Sequence, residues 1–315
     1  MDELDALFDS PLPENHRSGV VSVVGRPNVG KSTLINRILG QKIAIVSPKP
    51  QTTRKQQLGI YTDAQSQILF TDTPGLHRPQ HKLGEYMVSV AQESLRDADC
   101  ILWVVDGSVP PEAADIYIAE TLNTLGGQTP ILLVLNKVDL LATAQIDHQA
   151  AYTSLVASKQ VLHVSALTGE GLEALLAAVH DTLPLGPRYY PPDQVSEANM
   201  RFIAAEVIRE KIILHTEQEI PYSVAVEIDE YKERDEETVY ISAIIYVERD
   251  TQKGIVVGKA GAMIKQIGSE ARVELGEMLN ARIYLELHVK VLKNWRSDPD
   301  LMRRLGYRMP DKSDS

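Results

Sequence analysis

Eight consecutive residues, Gly25, Arg26, Pro27, Asn28, Val29, Gly30, Lys31 and Ser32, follow the pattern G-x-x-x-x-G-K-[ST]. Glycines in such a loop let several backbone N–H groups converge on one anion, and the lysine and hydroxyl complete a polyphosphate cradle. Lys31 is the group to reach the β- and γ-phosphates. Ser32, with Thr33 behind it, presents a hydroxyl to Mg2+. Further constellations follow in order. Asp72, Thr73, Pro74 and Gly75 combine a carboxylate that holds Mg2+ through its water shell with a glycine that lets a backbone N–H approach the γ-phosphate. Asn136, Lys137, Val138 and Asp139 suit a purine. The Asp139 carboxylate can accept from both the ring N–H and the exocyclic amine of guanine, whereas adenine offers neither and would strand a buried charge. Asn136 fixes the purine edge and the neighbouring loop, and the Lys137 stem covers the base face. Ser165, Ala166 and Leu167 offer the Ala166 N–H to the guanine oxygen. Each motif alone is a common turn; in this order they specify a guanine nucleotide.

The elements that position these groups are legible around them. Residues 20–24 are a β-branched run that reads as a buried parallel strand, and residues 33–39 carry apolar residues at helical spacing up to the stop at Gly40. The phosphate loop thus runs from a strand into a helix N-terminus, where the dipole favours an anion. Residues 19–183 alternate strand and helix, which predicts a doubly wound, mostly parallel α/β sheet. Residues 58–61 and 66–71 form a hairpin about Asp63 and Ala64. Helices are expected over 82–96, from Glu112, over 146–157 and over 172–182, and strands at 100–105, 131–135 and 161–164. Residues 41–55 have no periodicity, and a loop of that length inside a compact domain is a functional one.

Four prolines among residues 183–193 break the composition, and such a stretch makes a semi-rigid connector. Beyond it the order becomes helix (197–215), strand (222–228), charged turn (230–237), strand (239–247), two helices after Gly258, and a strand (283–291). This is a smaller α+β domain. The chain divides into a disordered acidic N-terminus (1–17), a first domain (18–183), the connector (184–193), a second domain (194–293) and a tail (294–315).

The chain has 315 residues, 43% hydrophobic and 24% charged, with a formal charge of −11. Length permits two cores, and the acidity excludes a general nucleic-acid coat without excluding a local basic patch. Its one cysteine, Cys100, forms no disulfide and reads as a small core residue in a reducing cytosol. The apolar runs are too short to span a bilayer, and the acidic N-terminus is not a signal peptide.

The basic patch lies in the second domain. Residues 201–248 carry 5 Lys/Arg against 12 Asp/Glu, and residues 249–312 carry 13 against 8. Within it Gly258, Lys259, Ala260 and Gly261 form a G-x-x-G turn flanked by Lys253 and Lys265, with no acid from Thr251 to Ser269. An apolar run before such a turn and an apolar helix after it is the layout that clamps about four nucleotides of single-stranded RNA backbone.

On these motifs residues 19–183 resemble a translation-factor-type GTPase of the Era family, with Gln51, Thr52, Thr53 and Arg54 as its switch motif. The bacterial-type KH arrangement that follows strengthens the resemblance across residues 19–291. The resemblance implies that Thr52 or Thr53, with Thr53 favoured, joins Ser32 and Asp72 on Mg2+ and that Lys31, Thr53 and Gly75 serve hydrolysis. It implies a monomeric GTP/GDP switch in the cytoplasm that binds the 3′ region of small-subunit ribosomal RNA and the assembling small ribosomal subunit. It further implies loose contact with the cytoplasmic membrane face, for which the sequence shows no anchor. Leu76 stands where Ras-like proteins carry a water-orienting glutamine, so hydrolysis needs other help. His77 and Arg78 read as a solvated switch loop, not as catalysts. Asn28 suits a K+ ion beside the α- and β-phosphates. Two other classes fit: a membrane-associated or cell-cycle signalling GTPase whose second domain binds a protein, and a structural assembly factor in which hydrolysis is incidental.

Overall fold

The computed structural model describes residues 12–309 apart from 50, 77, 78, 80, 126, 142–147 and 236. A six-stranded sheet organises the first half in the order β2-β3-β1-β4-β5-β6. Its strands are β1 (Arg17–Val24), β2 (Gln57–Thr62), β3 (Ser66–Asp72), β4 (Cys100–Asp106), β5 (Ile131–Asn136) and β6 (Gln160–His163). All pairings are parallel except β2 with β3, the expected hairpin. Every residue of β3, β4 and β5 is buried, because helices cover both sheet faces. One face carries a core around Val21, Leu34, Phe70 and Leu102. The other packs Trp103 edge-on to Tyr152, with ring centroids 6.0 Å apart.

Helices α1 (Lys31–Leu39), α2 (Lys82–Arg96), α3 (Ala113–Leu125), α4 (Gln149–Thr153) and α5 (Leu172–His180) complete this layer. The expected helix over 146–157 is shorter in its described part: α4 stops at Thr153, and Ser154 already bonds back to Ala150 in a turn. Residues 1–11 of the expected disordered terminus lie outside the described residues. Its last part is ordered: His16 is buried and bonds to Gly186 O, and Arg17 opens β1.

The proline-bearing connector does not span open space. Leu185 bridges Arg17, the Gln67 carboxamide accepts from Tyr189 N and Tyr190 N and donates to Tyr190 O, and Val195 O accepts from Ile60 N. It is laid across the edge of the sheet.

The second half holds α6 (Met200–His215), α7 (Ile220–Ser223), β7 (Ala225–Asp235), β8 (Thr238–Val247), α8 (Asp250–Val257), α9 (Ala262–Leu279), β9 (Arg282–Val291) and α10 (Pro299–Arg304). β8 is central, antiparallel to β7 and parallel to β9. Three expectations change here. The charged stretch 230–237 is mostly strand, with its last side chains exposed to solvent and Arg234 stacked on Tyr240, 4.5 Å from its centroid. Of the two helices placed after Gly258, one precedes it as α8, and α9 is continuous. Residues 294–309 of the expected tail are no tail, while 310–315 lie outside the described residues: Trp295, Met302 and Tyr307 are buried, and with Ala225, Ile244 and Tyr246 they pack against Leu83, Tyr86, Met87 and Val90 of α2. Apolar residues at 295, 302 and 307 dock the outer sheet face of the second domain onto the first.

Candidate nucleotide site and nucleic-acid interface

The phosphate loop joins β1 to α1 at the point where chain order reverses, with β3 on one side and β4 on the other, the usual place for a ligand in an open α/β sheet. Its conformation demands its glycines. Gly30 has φ +99°, and a Cβ there would lie 2.4 Å from Asn136 Nδ2; a Cβ on Gly25 would lie 2.2 Å from Val104 O. Lys31 is buried and donates to Gly25 O (3.0 Å) and Arg26 O (3.1 Å). Burial lowers its pKa to about 8, against the pull of Asp72, so the ammonium is poised to gain from a phosphate. The cleft beside it is lined by Asn28, Ser32, Thr33, Thr53 and Gly75 among others.

Three oxygen donors converge at its mouth. Asp72 Oδ2 accepts from Ser32 Oγ (2.7 Å) and Thr53 Oγ1 (3.2 Å), and the two hydroxyls are 3.1 Å apart. Thr52 instead turns its hydroxyl to Lys49 O, so of the two threonines the structure brings Thr53 to the cluster. Asp72 Oδ1 is buried and has no hydrogen-bond partner among the described residues, and burial raises the pKa of this carboxyl despite Lys31, Ser32 and Thr53. An orphaned carboxylate oxygen beside two hydroxyls fits a small hard cation that keeps waters and phosphate oxygens in its shell.

The base site is assembled from β5, β6 and their loops. Asp139 Oδ1 accepts from Ser165 Oγ at 2.5 Å, leaving its other oxygen for a ligand. Lys137 has φ +67° and donates to Asp106 at 2.6 Å; although burial opposes it, that bond and Ser108 hold the Asp106 carboxyl below its usual range. Asn136 fixes the neighbouring loops, as expected, and does so through both ends of its amide. Its Nδ2 donates to Val29 O (2.7 Å) and its Oδ1 accepts from Ala166 N (2.9 Å). The Ala166 N–H is therefore engaged by Asn136, whose amide ties the phosphate loop to the turn at Ser165. Leu167 is exposed at the rim. Leu76 is 1% exposed and packed in the core, so it presents nothing to water. His77 and Arg78 lie outside the described residues. Asn28, at φ +66°, donates to Pro48 O.

In the second domain the turn at 258–261 joins α8 to α9. Gly258 (φ +75°) would place a Cβ 2.6 Å from Met263 Cβ, and Gly261 (φ +78°) needs glycine for its dihedral alone. Lys253, Lys259 and Lys265 are exposed. A groove runs on between α9 and edge strand β9, lined by Ile264, Lys265, Gly268, Arg272, Leu285 and Leu287. Sequence reasoning missed all of these but Lys265. The usable signal was the i, i+4, i+8 spacing of Ile264, Gly268 and Arg272 on one helix face, with a glycine where a strand approaches. A positive rim, an apolar floor and an unpaired strand edge suit a single-stranded nucleic acid.

Fold and sites together define a P-loop GTPase joined to a KH domain. Residues 20–137 match the family described as 50S ribosome-binding GTPase, and residues 219–296 match the KH domain. The chain is 47% identical to the GTPase Era of Geobacter metallireducens over 96% of its length and all of that protein's, and 44% identical to that of Ruminiclostridium cellulolyticum over 93% and 98%. It belongs to the Era family of GTPases. Among solved structures it is similar to an Aquifex aeolicus Era variant bound to GDP·AlF4− (TM-score 0.87, 36% identity, 93% of this chain and 99% of that one). It is likewise similar to Era in complex with MgGDPNP and nucleotides 1506–1542 of 16S ribosomal RNA (TM-score 0.86, 37% identity, same coverage). No helix among the described residues is long and apolar enough to cross a membrane.

Proposed function

We propose that this chain is a GTP-hydrolysing switch that binds single-stranded RNA near the 3′ end of small-subunit ribosomal RNA, acts in the assembly of that subunit, and works as a monomer in the cytoplasm. The observation that carries this reading is the presence, in one chain, of the Ser32, Thr53 and Asp72 oxygen cluster and the groove that continues the 258–261 turn. The relative of known structure that holds both MgGDPNP and 16S ribosomal RNA supports it.

In this reading Ser32 and Thr53 would hold Mg2+ directly and Asp72 would hold it through water, where the ion would supply positive charge against the phosphates. Lys31 exchanges its two loop carbonyls for β- and γ-oxygens. The backbone at Gly75, whose Cβ would crowd Pro27 at 3.1 Å, meets the γ-phosphate. Asp139 selects guanine and the Lys137 stem covers the ring. With Leu76 buried, help for hydrolysis has to come from elsewhere, and the Asn28 carbonyl beside the phosphates suits K+, whose charge would favour the transition state. The test is filter binding of short RNA oligomers across a salt series with GTP or GDP present. Salt-dependent binding centred on one 3′-terminal sequence is expected; absence of RNA binding would favour a protein-binding second domain.

A further inference from the structure

The 41–55 loop meets the second domain as closely as it meets the phosphate loop. Glu210 of α6 accepts from Val46 N (2.8 Å) and Lys42 (2.7 Å), and Lys49 donates to Ile213 O (2.6 Å) and Thr216 O at the C-terminus of α6. The tightest ties flank Thr53. Arg209 of α6 donates to Thr52 O, the carbonyl of the peptide bond entering Thr53. Arg54, the next residue, donates to Pro221 O (2.8 Å) and Val224 O (2.6 Å) and lies over the Trp295 ring, 6.0 Å from its centroid. Successive side chains point opposite ways: Thr53 to Ser32 and Asp72, Arg54 into the second domain. Both arginines are 1% exposed.

We propose that Arg54 and Arg209 are positioning residues for Thr53, so that the RNA-binding domain holds the loop where a metal-bound nucleoside triphosphate needs it and is in that sense part of the hydrolytic machinery. The inference rests on the reading of Thr53 as a ligand of triphosphate-bound Mg2+. The physical case is one of geometry. A threonine on a fifteen-residue loop has no rigid element of its own to aim it, and here the peptide unit before it and the side chain after it are both fixed from the other domain. A guanidinium buried against two carbonyls and an indole is held in one place, because leaving either carbonyl would strand a desolvated charge. Partners that orient a ligand in this way typically change metal affinity by 10- to 100-fold when removed.

The experiment titrates Mg2+ into full-length protein with a fluorescent non-hydrolysable GTP analogue, and separately with fluorescent GDP, for wild type, Thr53→Ala, Arg54→Ala, Arg54→Lys, Arg209→Gln and Lys49→Ala. Arg54→Ala and Arg209→Gln should raise the Mg2+ requirement of the triphosphate roughly 10- to 100-fold, with Arg54→Lys between them and wild type. The GDP curve should stay in place, since without a γ-phosphate the loop is not drawn to the metal. In nucleotide-free protein the same variants should speed amide hydrogen exchange across residues 46–54. If Arg54→Ala does not fold, Lys49→Ala, on a half-buried side chain, should shift the triphosphate curve in the same direction by a smaller factor. Wild-type curves for the arginine variants beside a shifted Thr53→Ala overturn the proposal and spare the reading of Thr53. Wild-type behaviour in Thr53→Ala overturns that reading itself. Equal shifts for triphosphate and GDP would mean general structural damage and also overturn the proposal.

Discussion

Asp139→Asn should convert a guanine site into a xanthine site, and the structure says how the new side chain will sit. Ser165 Oγ already accepts from Thr168 N at 3.1 Å, so its own hydrogen goes to Asp139, 2.5 Å away. In the variant that donor keeps the amide oxygen and leaves the NH2 facing the base. The NH2 then meets the ring N–H and exocyclic amine of guanine as donor against donor, but finds an acceptor in the 2-oxo group of xanthine. Of about four lone-pair sites on the native carboxylate, Ser165 uses one, so three remain, of which guanine needs two. Two hydrogen bonds to a charged group are worth about 3–6 kcal/mol. Asp139 is half-buried, not sealed, and solvent screening lowers the expected loss to about 2–5 kcal/mol. At about 1.4 kcal/mol per tenfold this is a roughly 30- to 4,000-fold weaker Kd for GTP. Displacement of a fluorescent nucleotide by GTP, xanthosine triphosphate and ATP measures it. Equal GTP affinity in variant and wild type would refute the assignment of Asp139; a loss of GTP without gain of xanthosine triphosphate would refute the orientation argued from Ser165.

Lys259→Asp should abolish RNA binding and leave guanine-nucleotide affinity intact, and Arg272→Glu should weaken RNA binding and lower its salt slope by about 0.7 for each phosphate no longer neutralised; electrophoretic shifts at several salt concentrations decide both. Gly258→Asp should lose RNA as well, but partly by deforming the turn, because its Cβ would overlap Met263. GTP hydrolysis should run faster in K+ than in Na+ at matched ionic strength, with Asn28→Ala erasing the difference; identical rates in wild type would leave Asn28 as the group that holds Pro48. GTP and RNA should tighten one another by the same factor, roughly 5- to 150-fold, measured as RNA affinity with GDP and with a GTP analogue. A Gly/Ser replacement of 184–193 should reduce that factor only slightly, because Lys42, Lys49 and Arg54 join the domains directly; a complete loss would place the coupling in the connector.

What the sequence determined by itself is the chemistry that a few adjacent residues can carry. The phosphate loop, the Asp72 strand end, the Asp139 turn and the 258–261 turn are each set by local backbone geometry and residue type, so their meaning survives without a fold. The parallel sheet was equally legible, since strands covered on both faces leave apolar runs at residues 68–70, 100–105 and 131–135. What only the tertiary structure decided concerns groups whose partners are remote in the chain. Asn136 bonds to Val29 and Ala166, and Gln67 receives the connector; nothing local marks either choice, because an amide can serve any nearby backbone group. The groove wall at Leu285 and Leu287 exists only where β9 meets α9. Residues 294–315 read as a tail. Trp295, Met302 and Tyr307 are too widely spaced to signal a core until the face of α2 is there to receive them. Arg54 was legible as part of a switch motif, but its direction was not: a guanidinium beside a metal-site threonine could have faced phosphate, and the packing of the second domain turns it the other way, onto Pro221 and Val224.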